Sequence, residues 1–136
     1  MAEGLLKKMA GEMGWALQAS SAGIAAFPGL AAAPEAVEAA KEKGIDLSSH
    51  QSQGLSKRLV IESDLIVTMT TRHKEMILRK MPELTPKVKT LSEIAGESEK
   101  DIEDPIGHPL EIYRETLGQI EKYLNQSVRF FDRRQE

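Results

Sequence analysis

Ser63-Asp64-Leu65-Ile66-Val67-Thr68-Met69-Thr70 decides how this chain folds. Leu65, Ile66 and Val67 are a short apolar run, continued by Thr68 and Met69. Such a run suits a strand buried in a parallel sheet. Thr70 or Thr71 then caps a helix over residues 72–81, and Pro82 closes it.

On the C-terminal side, residues 87–91 form another strand, followed by a turn of helix at 92–95. Residues 101–109 are an acidic loop. Pro109 then opens the last helix, with Tyr113, Leu117, Ile120 and Leu124 on its apolar stripe and Val128 and Phe131 extending it. On the N-terminal side, Ser56 caps a short helix over 57–62. Residues 48–54 are a polar loop containing His50, and Ile45-Asp46-Leu47 is an extended link. Pro34 opens a helix whose inner face carries Ala36, Val37, Ala40 and the stem of Lys41, and Gly44 stops it. Residues 23–33 are a loop holding Phe27-Pro28-Gly29. Residues 15–22 read as a strand with Leu17, Ala19 and Ser21 on one face. Residues 1–13 read as a helix, because Met1, Leu5, Met9 and Met13 recur every fourth position beside Leu6. Three strands (15–22, 64–69 and 87–91) alternating with helices predict a single α/β domain with a parallel sheet. Ligands in such sheets sit at the carboxyl ends of the strands. The Thr70-Thr71 turn and the acidic loop lie at that edge.

The totals exclude several classes. At 136 residues, 40% apolar and 29% charged, this is one domain of ordinary soluble composition. A net charge of −3 without a basic run argues against nucleic acid and against a membrane surface as partners. There is no cysteine, which removes disulfides, thiolate metal sites and thiol catalysis from the chain as written. No apolar run approaches the roughly 20 residues that span a bilayer, and no signal-peptide core is present. The default location is cytoplasmic.

The loop Asp101-Ile102-Glu103-Asp104-Pro105-Ile106-Gly107-His108-Pro109 carries the chemistry. Pro105 fixes its own φ and keeps Asp104 out of the helical region. A carboxylic acid presented on such a backbone suits proton delivery to a leaving group. It equally suits ending a loop before a helix or merely shaping the loop, and Asp101 and Glu103 are better candidates for the shaping role. A hard cation on Asp101, Glu103 and Asp104 is the third alternative. The spacing lacks a calcium-loop pattern, so no metal and no cofactor are expected.

Taken together, these segments resemble the low-molecular-weight protein phosphatase family, in its bacterial tyrosine/arginine branch. The resemblance runs through Met1-Ala2-Glu3, Ser21-Ala22-Gly23, Pro34-x-x-Val37 and the His50 loop. It is most specific at residues 63–70 and at Asp104-Pro105 followed by Gly107 and Glu111-x-Tyr113. It implies a three-layer, flavodoxin-like sheet with helices on both faces. It also implies a two-step reaction, in which a thiolate attacks phosphorus, an aspartic acid protonates the leaving group, and water then cleaves the cysteinyl phosphate. By the resemblance Asp104 is that acid. His50 is the histidine that supports the phosphate loop, its alternative being an ordinary loop residue. Ile106, Phe27 and His73 are pocket candidates. Their alternatives are a core or surface role for Phe27 and a solvated cap position for His73. Tyr113 and Leu117 read as core, and His108 as a solvated loop residue. Ile106 stands where tyrosine-directed members tend to carry aromatics, so phosphotyrosine and phosphoarginine both stay open.

Family members precede Met-Ala-Glu with an apolar strand and a Cys-x5-Arg-Ser/Thr-Pro loop, and this chain starts at Met-Ala-Glu. The first helix also has no Ser, Thr, Asp or Asn cap, and its ammonium sits at the positive end of the helix dipole. Fraying of the first turn is the plain alternative. The resemblance makes it an N-terminally truncated phosphatase, through an internal start or a shortened gene, with its first central strand missing. The expectation is a phosphatase scaffold for a phosphorylated protein substrate, inactive as written. The rival is a non-catalytic, phospho-ligand-binding or regulatory remnant. Unpaired strand edges predict marginal stability, self-association or a differently closed sheet.

Overall fold

The computed structural model describes residues 1–24, 28–97 and 100–135. Its elements are α1 (Ala2–Met13), α2 (Pro34–Lys41), α3 (Lys57–Glu62), β1 (Ile66–Thr68), α4 (Thr71–Lys80), a 3-10 turn (Pro82–Lys87), β2 (Val88–Thr90), α5 (Leu91–Ile94), α6 (Leu110–Gln126) and α7 (Val128–Arg134). β1 and β2 pair in parallel, with Ile66 opposite Val88 and Thr68 opposite Thr90. Parallel neighbours need a crossover, and α4 supplies it.

The two faces of β1 look into different cores. Ile66 packs against a cluster of Val60, Ile77, Leu84 and Val88. Val67, the next residue, packs against a larger cluster that includes Leu5, Ala40, Leu91, Leu117 and Phe131. Successive strand residues point to opposite faces. α3 and α4 therefore cover one face, and α1, α2, α6 and α7 cover the other. This is a three-layer α/β arrangement around a small sheet. Among the described residues, no helix is long and apolar enough to cross a membrane.

Capping follows the expected chemistry. Ser56 accepts a hydrogen bond from the Leu59 amide, and Thr70 accepts one from the His73 amide. α1 has no side-chain cap. Gly44 stops α2 with φ +76°, a conformation that L side chains rarely adopt. Gly4 has a different reason to be glycine. A Cβ there would sit 2.7 Å from Ile45 Cγ2, so the α1 backbone packs directly on the Ile45 side chain of the link after α2.

Several expectations need correction. Residues 15–22 form no strand. Only the bridge from Gly23 to Gly54 pairs this end of the segment. The residues still alternate, with Trp15 buried, Leu17 and Ala19 half-buried, and Ala16, Gln18 and Ser20 exposed. The side-chain period of a strand is present, but no neighbouring strand among the described residues supplies its hydrogen bonds. Instead the Ala16 amide donates to Gln135 Oε1 at 2.8 Å. The other two strands shrink to three residues each. Lys41 is exposed, and Ala39 takes the inner position at 1% exposure. Ala36, Ala39 and Ala40 follow the three- and four-residue spacing of one helix face, which Lys41 leaves. The last helix is not continuous. Ser127 Oγ donates to the Tyr123 carbonyl at 2.6 Å, a back-bond that bends helices. α7 then turns against Trp15, whose indole N–H donates to Asp132 at 2.7 Å.

Candidate active site

The acidic loop is tied down at its start and free at its tip. One carboxylate oxygen of Asp101 accepts from the Thr71 amide at 2.9 Å and from the Thr71 hydroxyl at 3.1 Å. The Ile102 amide donates to the Met69 carbonyl at 2.9 Å, and the Ile102 side chain is 2% exposed. Both contacts reach the carboxyl end of β1. Pro105 is buried beneath the loop, while Glu103 and Asp104 are exposed. Asp104 accepts a hydrogen bond from the Ile106 amide at 3.0 Å. The turn closes with the His108 amide donating to the Pro105 carbonyl at 2.9 Å.

Asp104 lies within electrostatic reach of the start of α1, which has no side-chain cap. Burial pushes the Met1 ammonium below its usual range, and the charges of Glu3 and Asp104 oppose that shift. Asp104 is also within electrostatic reach of Tyr113. Burial raises the phenol of Tyr113, and Glu35 and Asp104 raise it further.

Glu3 gathers the surroundings of that helix start. Its carboxylate accepts from Ser21 Oγ at 3.0 Å and from Lys7 Nζ at 3.2 Å. His50 Nδ1 lies 3.8 Å away. Three elements meet there: α1, the end of residues 15–22, and the His50 loop. Burial alone would raise the Glu3 carboxyl. The Ser21 hydroxyl, Lys7 and His50 outweigh it and hold the group below the ordinary carboxylate range. A carboxyl that ionises more easily in the folded chain adds stability above its unfolded pKa of about 4.3. That stability is lost as pH falls through the lower folded value. Glu3→Gln is expected to flatten the acid-side fall in melting temperature below about pH 4.3. Identical slopes in both proteins would show that Glu3 is not the titrating group.

The expected site residues do not all converge. Asp104 and Ile106 share the loop tip, with Ile106 73% exposed. His50 sits beside Glu3 at the α1 start. His73 contributes its backbone amide to the Thr70 cap, and its side chain is exposed. Phe27 lies outside the described residues. Tyr113 and Leu117 are buried core, at 4% and 1% exposure, and His108 is exposed. A concavity of about 750 Å³ is lined by α2 residues together with Ala32 and Ser48. It includes nothing from the acidic loop. Two contacts were not legible in sequence: the Asp101–Thr71 tie spans 30 residues, and Ser21 reaches Glu3 across 18. The resemblance includes both partners of the second, in Met1-Ala2-Glu3 and Ser21-Ala22-Gly23, but not their contact.

Residues 1–135 match the family described as low molecular weight phosphotyrosine protein phosphatase. A protein-arginine-phosphatase of Bacillus subtilis (strain 168) is 39% identical over 126 residues, covering 93% of this chain and 83% of that protein. The low molecular weight protein-tyrosine-phosphatase Wzb of Escherichia coli (strain K12) is 34% identical over 113 residues, covering 83% of this chain and 73% of Wzb. A solved structure of the YwlE arginine phosphatase, a cysteine-to-serine mutant with a phosphorylated active-site serine, superposes with a TM-score of 0.92. It is 38% identical and covers 99% of this chain and 90% of that one. With its sequence and its fold in agreement, the chain belongs to the low molecular weight protein phosphatase family.

Proposed function

We propose that these residues are the scaffold and general-acid part of a phosphatase acting on phosphorylated protein side chains, with phosphoarginine favoured over phosphotyrosine. In the first step a cysteine thiolate forms the S–P bond, the P–N or P–O bond breaks, and Asp104 gives its proton to the departing group. In the second, water attacks phosphorus, the S–P bond breaks, and the Asp104 carboxylate takes the proton back. Protonation matters because a tyrosine leaving group has a pKa of about 10 and a guanidine a higher one. The observation that carries this reading is the exposed Asp104 carboxyl, held by the Ile106 amide and within electrostatic reach of the Met1 ammonium at the start of α1. The phosphorylated active-site serine of the similar YwlE variant supports a covalent route. Arginine is favoured by the name of the Bacillus relative and by an aliphatic Ile106 where a flat ring would want an aromatic wall.

The chain contains no cysteine, so on this reading the 136 residues alone do not turn over. Incubation with an aryl phosphate and with a phosphoarginine peptide is expected to release no phosphate. Turnover that Asp104→Asn abolishes would overturn this. Saturable peptide binding without turnover would favour a binding role instead.

The same reading includes self-association. Residues 15–22 keep a strand's alternation without a strand partner, and β1 has β2 as its one ladder partner among the described residues. Open edges offer rows of backbone donors and acceptors to another chain. The melting temperature is expected to rise with protein concentration, and a concentration-independent transition would remove self-association.

A further inference from the structure

We propose that Asp101 is the positioning residue of the acid loop, setting where Asp104 is presented by fastening the loop to the Thr71 end of β1. The proposal rests on reading Asp104 as the general acid. Among the described residues, the hydrogen bond that Asp104 makes is to Ile106, two positions on. That bond shapes the turn but does not place it against the rest of the molecule. The placing contacts come just before it. Both Thr71 donors converge on one Asp101 oxygen, at 2.9 and 3.1 Å, and Ile102 bonds Met69 at 2.9 Å. Only Glu103 separates that anchor from Asp104.

The chemistry of the anchor calls for an acceptor of this kind. The first amides of a helix have no partner within it. In α4 the Thr70 hydroxyl serves His73, which leaves the Thr71 amide to a side chain from elsewhere. A carboxylate there also meets the positive end of the helix. The side chain is half-buried and reaches across 30 residues. The one bond therefore does two jobs: it caps α4 and ties the loop.

The test separates those jobs in the 136-residue chain without needing turnover. In Asp101→Ala, the Thr71 and Ile102 amides are expected to exchange at least about tenfold faster, with β2 amides unchanged. The discriminating readout is the Tyr113 phenol, followed by NMR of ring-labelled tyrosine, which separates it from Tyr123. A nearby anion raises a phenol's pKa. Asp104→Asn is therefore expected to lower Tyr113, and Asp101→Ala to lower it in the same direction as the loop drifts. Asp101→Asn keeps the accepting oxygen and is expected to restore the wild-type value. If Asp101→Ala speeds exchange at the start of α4 but leaves Tyr113 unmoved while Asp104→Asn moves it, Asp101 is a helix cap only. If Asp104→Asn does not move Tyr113, Asp104 is not held where the proposal needs it. A failure of the general-acid reading would appear elsewhere, as turnover indifferent to Asp104 in an active, cysteine-bearing chain.

Discussion

On the proposed reading, joining an apolar strand and a Cys-x5-Arg-Ser-Pro loop to Met1 is expected to give a chain that hydrolyses aryl phosphates. Asp104→Asn in that longer chain is then expected to lower kcat about 10²- to 10⁴-fold. The first effect is large because the nucleophile and the phosphate-gripping groups act as a unit. Removing the nucleophile of such a unit costs on the order of 10⁴-fold or more. A helix start whose first amides have no side-chain cap is where a thiolate and a phosphate are both stabilised. The second effect tests the acid alone. Asparagine keeps the oxygen that accepts from Ile106, so the turn stays while the proton goes. The loss should grow as the phenol of the substrate becomes less acidic, because a poorer leaving group needs more protonation. No turnover in the longer chain, or an equal loss with acidic and weakly acidic phenols, would sink the reading.

Leu117→Ala is expected to destabilise the fold by about 2–5 kcal/mol. Leu117 is 1% exposed, lies in α6 and belongs to the larger core cluster with Leu5, Ala40 and Leu91. Neighbours from several helices cannot all close on the vacated volume, so a cavity term adds to the lost transfer energy. Domains of this size hold about 5–15 kcal/mol in all. The change should therefore lower the melting temperature by about 10 °C or leave the chain unfolded. Ile61→Ala is the control. It removes an equally large residue that is 63% exposed, with an expected effect within about 0.5 kcal/mol. A loss below about 1 kcal/mol at Leu117 would contradict the core drawn here.

Local rules were legible where the deciding atoms lie close in sequence. Ser56 and Thr70 cap their helices because each hydroxyl meets an amide three residues on. Gly44 closes the turn after α2 because its φ of +76° suits glycine. The stripe of α6 reads as core because its spacing repeats within a single helix. The strand at residues 15–22 failed for the opposite reason. Its side-chain period is in the sequence, but a strand exists only when another backbone pairs with it, and that partner is not a local property. The break at Ser127 lies in its own backbone, at φ −96° and ψ 3°, which the helical spacing of the flanking residues does not show.

Read from sequence alone, this protein was already α/β, cysteine-free and built like a low molecular weight phosphatase, with Asp104 as its acid candidate. Composition, periodicity and proline geometry act over a few residues, and each was in view. Only the tertiary structure decided that, among the described residues, β1 and β2 make the ladder, that Glu3 draws Ser21 and His50 to the start of α1, and that Asp101 fastens the acid loop to Thr71. Those contacts join segments as far apart in sequence as Glu3 and His50. Packing two cores on opposite faces of a short sheet brings them together, and no local propensity encodes the result.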